Sequence, residues 1–428
     1  MKSKYVFGVL FGLVVLLSTA SCKSKPPAQE EKPPVEAPAS IAVTSSDQAT
    51  IDDLNKAAAR AAAARQVVMD FGGPGFLPKE WQFADSLFTE AEQQKNTSSS
   101  AGIHDSIARY DRARAAFESM TPMTYAAAYD YAQSELTTVR NAAVDSGVEV
   151  NLPDYLLDAD NTVVRAEEKY EAKDYYAAKD AAFEAYDKYE LLKWGLDVYW
   201  ISEDVVKAGA EELIPDYLDE ADKVGLEAVD KYLAADYDGA RDSVAKAEKM
   251  YIALKAGLDA YAVREKITAY DFEVYDPQNI ELADNILWTA AEDYSNNNFP
   301  AAREKADDAQ RRYTLSLATA WGNYAAEKGA DASTERQRAL DLKANVAVRQ
   351  EFNSAQAVYV RANSAFQAKN HEQASALYKE SETMFVELNR MTLQKRDAAE
   401  RALNMANQRM VESDETARNA EVVLEGGE

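Results

Sequence analysis

The sequence predicts an all-α protein, an elongated array of helix-turn-helix repeats of the α-solenoid kind with long helices. Three observations predict it. The first is composition: of 428 residues only 16 are Gly and 12 are Pro, and the bulk is Ala, Glu, Lys, Leu and Asp, residues at home in helix interiors. The second is self-similarity. The stretch 159–189 returns at 221–251 and again at 283–313, with Tyr170, Tyr232 and Tyr294 in one column and Ala178, Ala240 and Ala302 in another, at a fixed step of 62. The third is punctuation: Pro153, Pro215 and Pro277 open each copy, and Asp174, Asp236 and Asn298 stand at the turn inside it. Pro is favoured in the first helical turn, and Asp or Asn directly before one.

In chain order, residues 1–22 read as a signal peptide. Lys2 and Lys4 precede an apolar run, 6–17, too short for a mature transmembrane helix, and small residues then lead to Cys22. The run Leu17-Ser18-Thr19-Ala20-Ser21-Cys22 resembles the lipobox of bacterial lipoproteins in its looser, spirochaete-like form. That resemblance implies that Cys22 is lipidated and becomes the mature N-terminus. Cys22 is the only cysteine, so the chain can form no internal disulfide. Residues 23–50, with Pro26, Pro27, Pro33, Pro34 and Pro38, read as a semi-extended tether of about 3 Å per residue.

Residues 51–75 read as an N-terminal helix, with Thr50 as its N-cap, ended by the Gly-Pro loop Gly72-Gly73-Pro74-Gly75. Residues 76–390 form the repeat domain, with about five units, regular over 152–213, 214–275 and 276–337. The first copy is marked by Pro78 and Ala84-Asp85, and the last by Ala355-Gln356, Asn370 and Phe385. In the second helix of a unit, Ala178, Ala182 and Ala185 lead to Tyr189, a small-residue face on which another helix can approach closely. A kink or break is expected at Trp194-Gly195, repeated at Gly257 and at Pro122. Residues 391–428 read as a C-terminal capping helix with an acidic tail.

The segments 169–189 and 365–381 resemble the centre of a tetratricopeptide repeat: an aromatic residue, a short turn, then an alanine column. The period is 62 where that family has about 34. The resemblance implies a general role in binding proteins or peptides.

Chemistry is sparse. The two histidines, His104 and His371, fall in different repeats, and with Cys22 assigned to lipid no thiol or zinc site is expected. Neither a phosphate-binding Gly-rich loop nor a calcium loop is present, so no catalytic residues, metal or cofactor are expected. A net charge of −26 disfavours nucleic acid and anionic headgroups as partners. Two features could form a groove or lock repeat to repeat. One is the carboxylate column Asp160, Asp222 and Asp284, bracketed by Asp85 and Gln356; the other is Tyr199-Trp200 beside the expected kink. The expected function is a non-enzymatic interaction scaffold, lipid-anchored in the bacterial cell envelope, facing the periplasm or exposed, with envelope proteins as partners. A small-ligand companion of a transporter and a structural spacer or surface antigen are the alternatives.

Overall fold

The structure, a computed structural model, describes residues 45–95 and 99–425, and they are all-α. The lipobox, Cys22 and the tether up to residue 44 lie outside the described residues. The elements are α1 Ser45–Asp70, α2 Gly73–Phe76, α3 Pro78–Gln94, α4 Ser100–Asp145, α5 Val148–Asn151, α6 Pro153–Glu171, α7 Tyr175–Lys207 and α8 Ala210–Leu213. They continue as α9 Pro215–Leu233, α10 Tyr237–Ala269, a 3-10 turn Phe272–Tyr275, α11 Pro277–Ser295, α12 Phe299–Asp341, α13 Ala344–Ala347, α14 Arg349–Gln367 and α15 His371–Glu425.

A shorter helix followed by a longer one recurs five times: α3 with α4, α6 with α7, α9 with α10, α11 with α12, and α14 with α15. The turn inside four of these pairs is closed the same way. Lys173, Ala235, Asn297 and Lys369 adopt positive φ, near 60°. The amide of the residue after each one reaches back to close the loop, as Asp174 N does to Lys169 O at 2.9 Å. This is the left-handed helix stop that glycine usually occupies. Capping by the next side chain is uneven. Asp236 accepts from Gly239 N at 3.1 Å and Asn370 from Gln373 N at 3.4 Å, whereas Asn298 makes no side-chain cap bond.

A second device recurs before each opening helix, where the chain makes a single helical turn (α2, α5, α8, the 3-10 turn and α13). A left-handed residue starts each one: Gly72, Gly147, Gly209, Asp271 or Lys343. Its first residue is buried every time, as at Val148, Ala210, Phe272 and Ala344. At Gly73 the fit is so close that a Cβ would lie 2.2 Å from Val68 Cγ1. Four of the opening helices then begin at the expected prolines.

Three expectations are corrected. Thr50 is not an N-cap, because α1 already begins at Ser45, so the tether ends before that residue. The helices run unbroken through Pro122, Gly195 and Gly257; a Cβ at either glycine would meet nothing within 4 Å, so their smallness opens space beside the helix instead of breaking it. Residues 391–425 are no separate cap: they are the far end of α15, and side chains 393–422 are exposed all round, because the last buried ones are Asn389 and Thr392.

The chain divides into two compact units, residues 1–203 with 220–248 and residues 204–219 with 249–428. In the first, one core joins Leu54, Ala61, Ala91 and Tyr110, another Val68, Ala84, Ala113 and Phe117, and a third Leu136, Leu156, Ala159, Tyr189 and Leu196. In the second, Ile267, Phe272, Ile280 and Tyr313 form one core, and Val348, Phe352, Phe385 and Leu388 another. Small residues line the helix crossings and large ones fill between them, which gives interior density without strain.

Candidate functional site

The carboxylate column is engaged inside the protein. Asp160 on α6 receives a two-pronged hydrogen bond from Arg140 at 2.7 and 2.8 Å and a third from the Tyr189 hydroxyl at 2.5 Å. Asp284 on α11 repeats the arrangement with Arg264 at 2.9 Å and Tyr313 at 2.6 Å. The ends of the column keep the arginine: Arg65 meets Asp85 at 2.7 Å and Arg336 meets Gln356 at 2.6 Å. There the tyrosine is replaced by Phe117 or Phe385, both fully buried. Ser202 stands where the arginine would precede Asp222, and Asp222 makes polar interactions of its own.

Geometry sets the charge states. The hydrogen bonds from Arg140, more than that from Tyr189, hold the Asp160 carboxyl below the usual range despite partial burial. Burial, then the bond to Asp160, raises Tyr189. Each triad ties the long helix of one pair to both helices of the next, as Arg140 on α4 does with α6 and α7. The signal that could have revealed it is an arginine 20 residues before four of the five polar positions.

No pattern in the sequence marked a cleft of about 570 Å³ in the first unit. Its walls come from the end of α1, the middle of α4, the end of α6 and the start of α7, and they are rings. Tyr125 stacks on Tyr175 with centroids 3.9 Å apart, and Tyr129 stacks on Tyr170 at 4.0 Å. Tyr170 meets Tyr175 edge-on, and Phe71 meets Tyr125 edge-on. Ala128, Ala132, Ala166, Ala178 and Ala182 also line it, and small residues there leave the room the rings enclose. Tyr125, Tyr129, Tyr170 and Tyr175 all line the cleft, and their hydroxyls make no hydrogen bond to another group among the described residues.

The rim is polar and partly committed. Lys179 donates to the Asp70 carbonyl and lies over the Phe71 ring, 5.3 Å from its centroid. Tyr176 donates to the Asp70 carboxylate at 2.8 Å. Gln66 and then Tyr176 lower the Asp70 carboxyl, while burial and that same bond push Tyr176 up to about 12. Asp187 is paired with Arg241. Burial also raises Tyr125 and Tyr170.

Two smaller hollows are lined at corresponding positions. One, of about 280 Å³, is bounded by Ala228, Tyr232, Ala240 and Val244 beside Gly195, Leu196 and Tyr199. The other, of about 310 Å³ in the second unit, is bounded by Ala290, Tyr294, Ala302 and Ala306 beside Gly257. Tyr199 lines the first of these hollows; Trp200 does not, but leans edge-on against Tyr199 with 45% of its surface exposed. The residues matching Ala166, Tyr170, Ala178 and Ala182 thus make a hollow in each of three helix pairs, and tyrosines enlarge the first.

His104 and His371 line none of these hollows. Among the described residues no cluster of His, Cys, Asp and Glu could hold a metal ion, and no helix is long and apolar enough to cross a membrane. No protein-family profile, curated protein or solved structure matches the chain, so the cleft and the triads stand on their own geometry.

Proposed function

We propose that this chain is a binding protein without catalytic activity, held in a bacterial cell envelope by lipid on Cys22, which captures an extended segment of another envelope protein in the tyrosine cleft. The observation that carries the reading is the cleft: four tyrosines in two stacked pairs, framed by α1, α4, α6 and α7. Aromatic-lined grooves bind extended, proline-containing segments because ring faces match proline rings and the hydroxyls reach the backbone carbonyls between them. A chain of net charge −26 adds attraction for basic residues flanking such a segment. The helix pairs supply the scaffold, in the manner the tetratricopeptide-like segments suggest.

The test is a binding assay with a library of extended basic and proline-containing peptides, comparing the native protein with Tyr129→Ala and Tyr175→Ala. We expect loss of binding of at least tenfold in either variant, because stacked rings hold each other in place. Undiminished binding in both would remove the cleft from the function.

A small ligand is the second reading, favoured by the cleft's volume of about 570 Å³, inside the roughly 300–1,000 Å³ span of small-molecule pockets. Native mass spectrometry of the purified protein separates the two: a retained small molecule supports this reading, and occupancy by peptide supports the first.

A further inference from the structure

Beyond Lys395, which donates to the Ala347 carbonyl at 3.2 Å, the side chains of α15 are exposed through residue 422, yet its sequence is not that of a merely soluble helix. Leu403, Met405, Met410, Val411 and Val422 are each 58–68% exposed. The buried face of the same helix runs through Tyr378, Phe385, Leu388 and Thr392, and its spacing of three and four residues is continued in the exposed part. The series is Ala399, Leu403, Ala406, Met410, Ser413, Ala417 and Ala420, a heptad seam over about three repeats.

Two properties of the seam select its occupant. If two copies cross antiparallel about the point between Val411 and Glu412, the facing layers are Leu403 with Ala420, Ala406 with Ala417, and Met410 with Ser413. Both large side chains, Leu403 and Met410, then face small ones and no layer sets large on large, so the helices approach closely. A parallel pair would instead set Leu403 on Leu403 and Met410 on Met410, between gaps at the alanine layers. Charge points the same way. Residues 393–409 carry four basic residues to two acidic, and 410–425 carry five acidic to one basic. Antiparallel crossing lays the basic half of each helix along the acidic half of its partner and opposes their macrodipoles; parallel pairing stacks like on like.

We infer that the free end of α15 is a self-association arm, which pairs antiparallel with the same segment of a second copy of this chain. The inference is independent of the cleft, since no residue of one takes part in the other.

Disulfide trapping tests it in the full chain carrying Cys22→Ser, kept in mild detergent, so that the introduced thiols are the only ones. Chains with Leu403→Cys and Ala420→Cys, differently tagged, are mixed under mild oxidation. The expected result is a mixed Leu403→Cys/Ala420→Cys dimer, with at least fivefold less self-crosslinking of either variant alone, because like positions are 17 residues apart. Met410→Glu should abolish the mixed product and shift the native chain from dimer to monomer in sedimentation, without lowering its melting temperature, since Met410 touches nothing in its own chain. Dominant self-crosslinking of Leu403→Cys would indicate a parallel pair and overturn the inference. A monomer at 100-fold the crosslinking concentration would overturn it too, and leave the seam to a different partner.

Discussion

Tyr189 is almost wholly buried, and its hydroxyl donates to the Asp160 carboxylate that also receives the Arg140 guanidinium. Removing the carboxylate strands both donors. Asp160→Ala is therefore expected to lower stability by about 2–3 kcal/mol, well above an exposed ion pair, because a buried hydroxyl loses its acceptor. Tyr189→Phe, which removes the donor and leaves Asp160 with Arg140, should cost about 1 kcal/mol. Urea unfolding followed by circular dichroism measures both, and equal losses would contradict the geometry. The pH dependence has a definite sign. Because the Asp160 carboxyl is lowered in the folded state, its contribution is present in full above the usual carboxylate range and is lost as the pH falls through the folded value. The stability gap between the native protein and Asp160→Asn should shrink on acidification from pH 5 toward pH 2. At this scale the sequence showed the carboxylate column but not its purpose: the arginine partners sit on a different helix, 20 residues away, and only packing reveals that they converge.

Helix-level features were largely legible, because they depend on local rules. Prolines in first turns, alanine faces and the turn positions are where spacing puts them. What could not be read were breaks that never occur. Gly195 and Gly257 look like helix stops, yet glycine costs an interior helix only about 1 kcal/mol, which packing on both sides easily offsets. The left-handed helix ends were hidden for the opposite reason: Lys173 and Ala235 hold positive φ, at 62° and 58°, in places where sequence gives no glycine to announce it. That supplies a stabilising substitution. Lys173→Gly, at a position whose side chain is exposed, should raise stability by about 1 kcal/mol by removing the Cβ strain of the left-handed conformation. The same change at Lys179, inside α7, should lower it by a similar amount, plus the loss of the contact with Phe71. Thermal melts of the two variants should shift in opposite directions.

For the whole molecule, the all-α class followed from composition and periodicity, and the recurrent helix pairs from internal similarity. The cleft did not, because Phe71, Tyr125, Tyr129, Tyr170 and Tyr175 come from three helices and the turn after α1, and no one-dimensional pattern joins them. Its proposed use and the net charge of −26 give opposite responses to salt. Folding concentrates 73 acidic side chains against 47 basic ones, so self-repulsion should fall as ions screen it. Raising sodium chloride from about 10 to 300 mM shortens the Debye length from about 30 Å to well under 10 Å, and the melting temperature should rise by several degrees. Capture of a basic, extended peptide should weaken over the same range, mainly through a slower association rate, since the long-range attraction is what salt removes. Dissociation should scarcely change, because stacking on Tyr125, Tyr129, Tyr170 and Tyr175 is short-ranged and unscreened. Stopped-flow binding at several salt concentrations separates the two rates. An association rate independent of salt would mean that the acidic surface serves solubility alone, whereas a dissociation rate rising with salt would transfer recognition from the rings to the rim carboxylates.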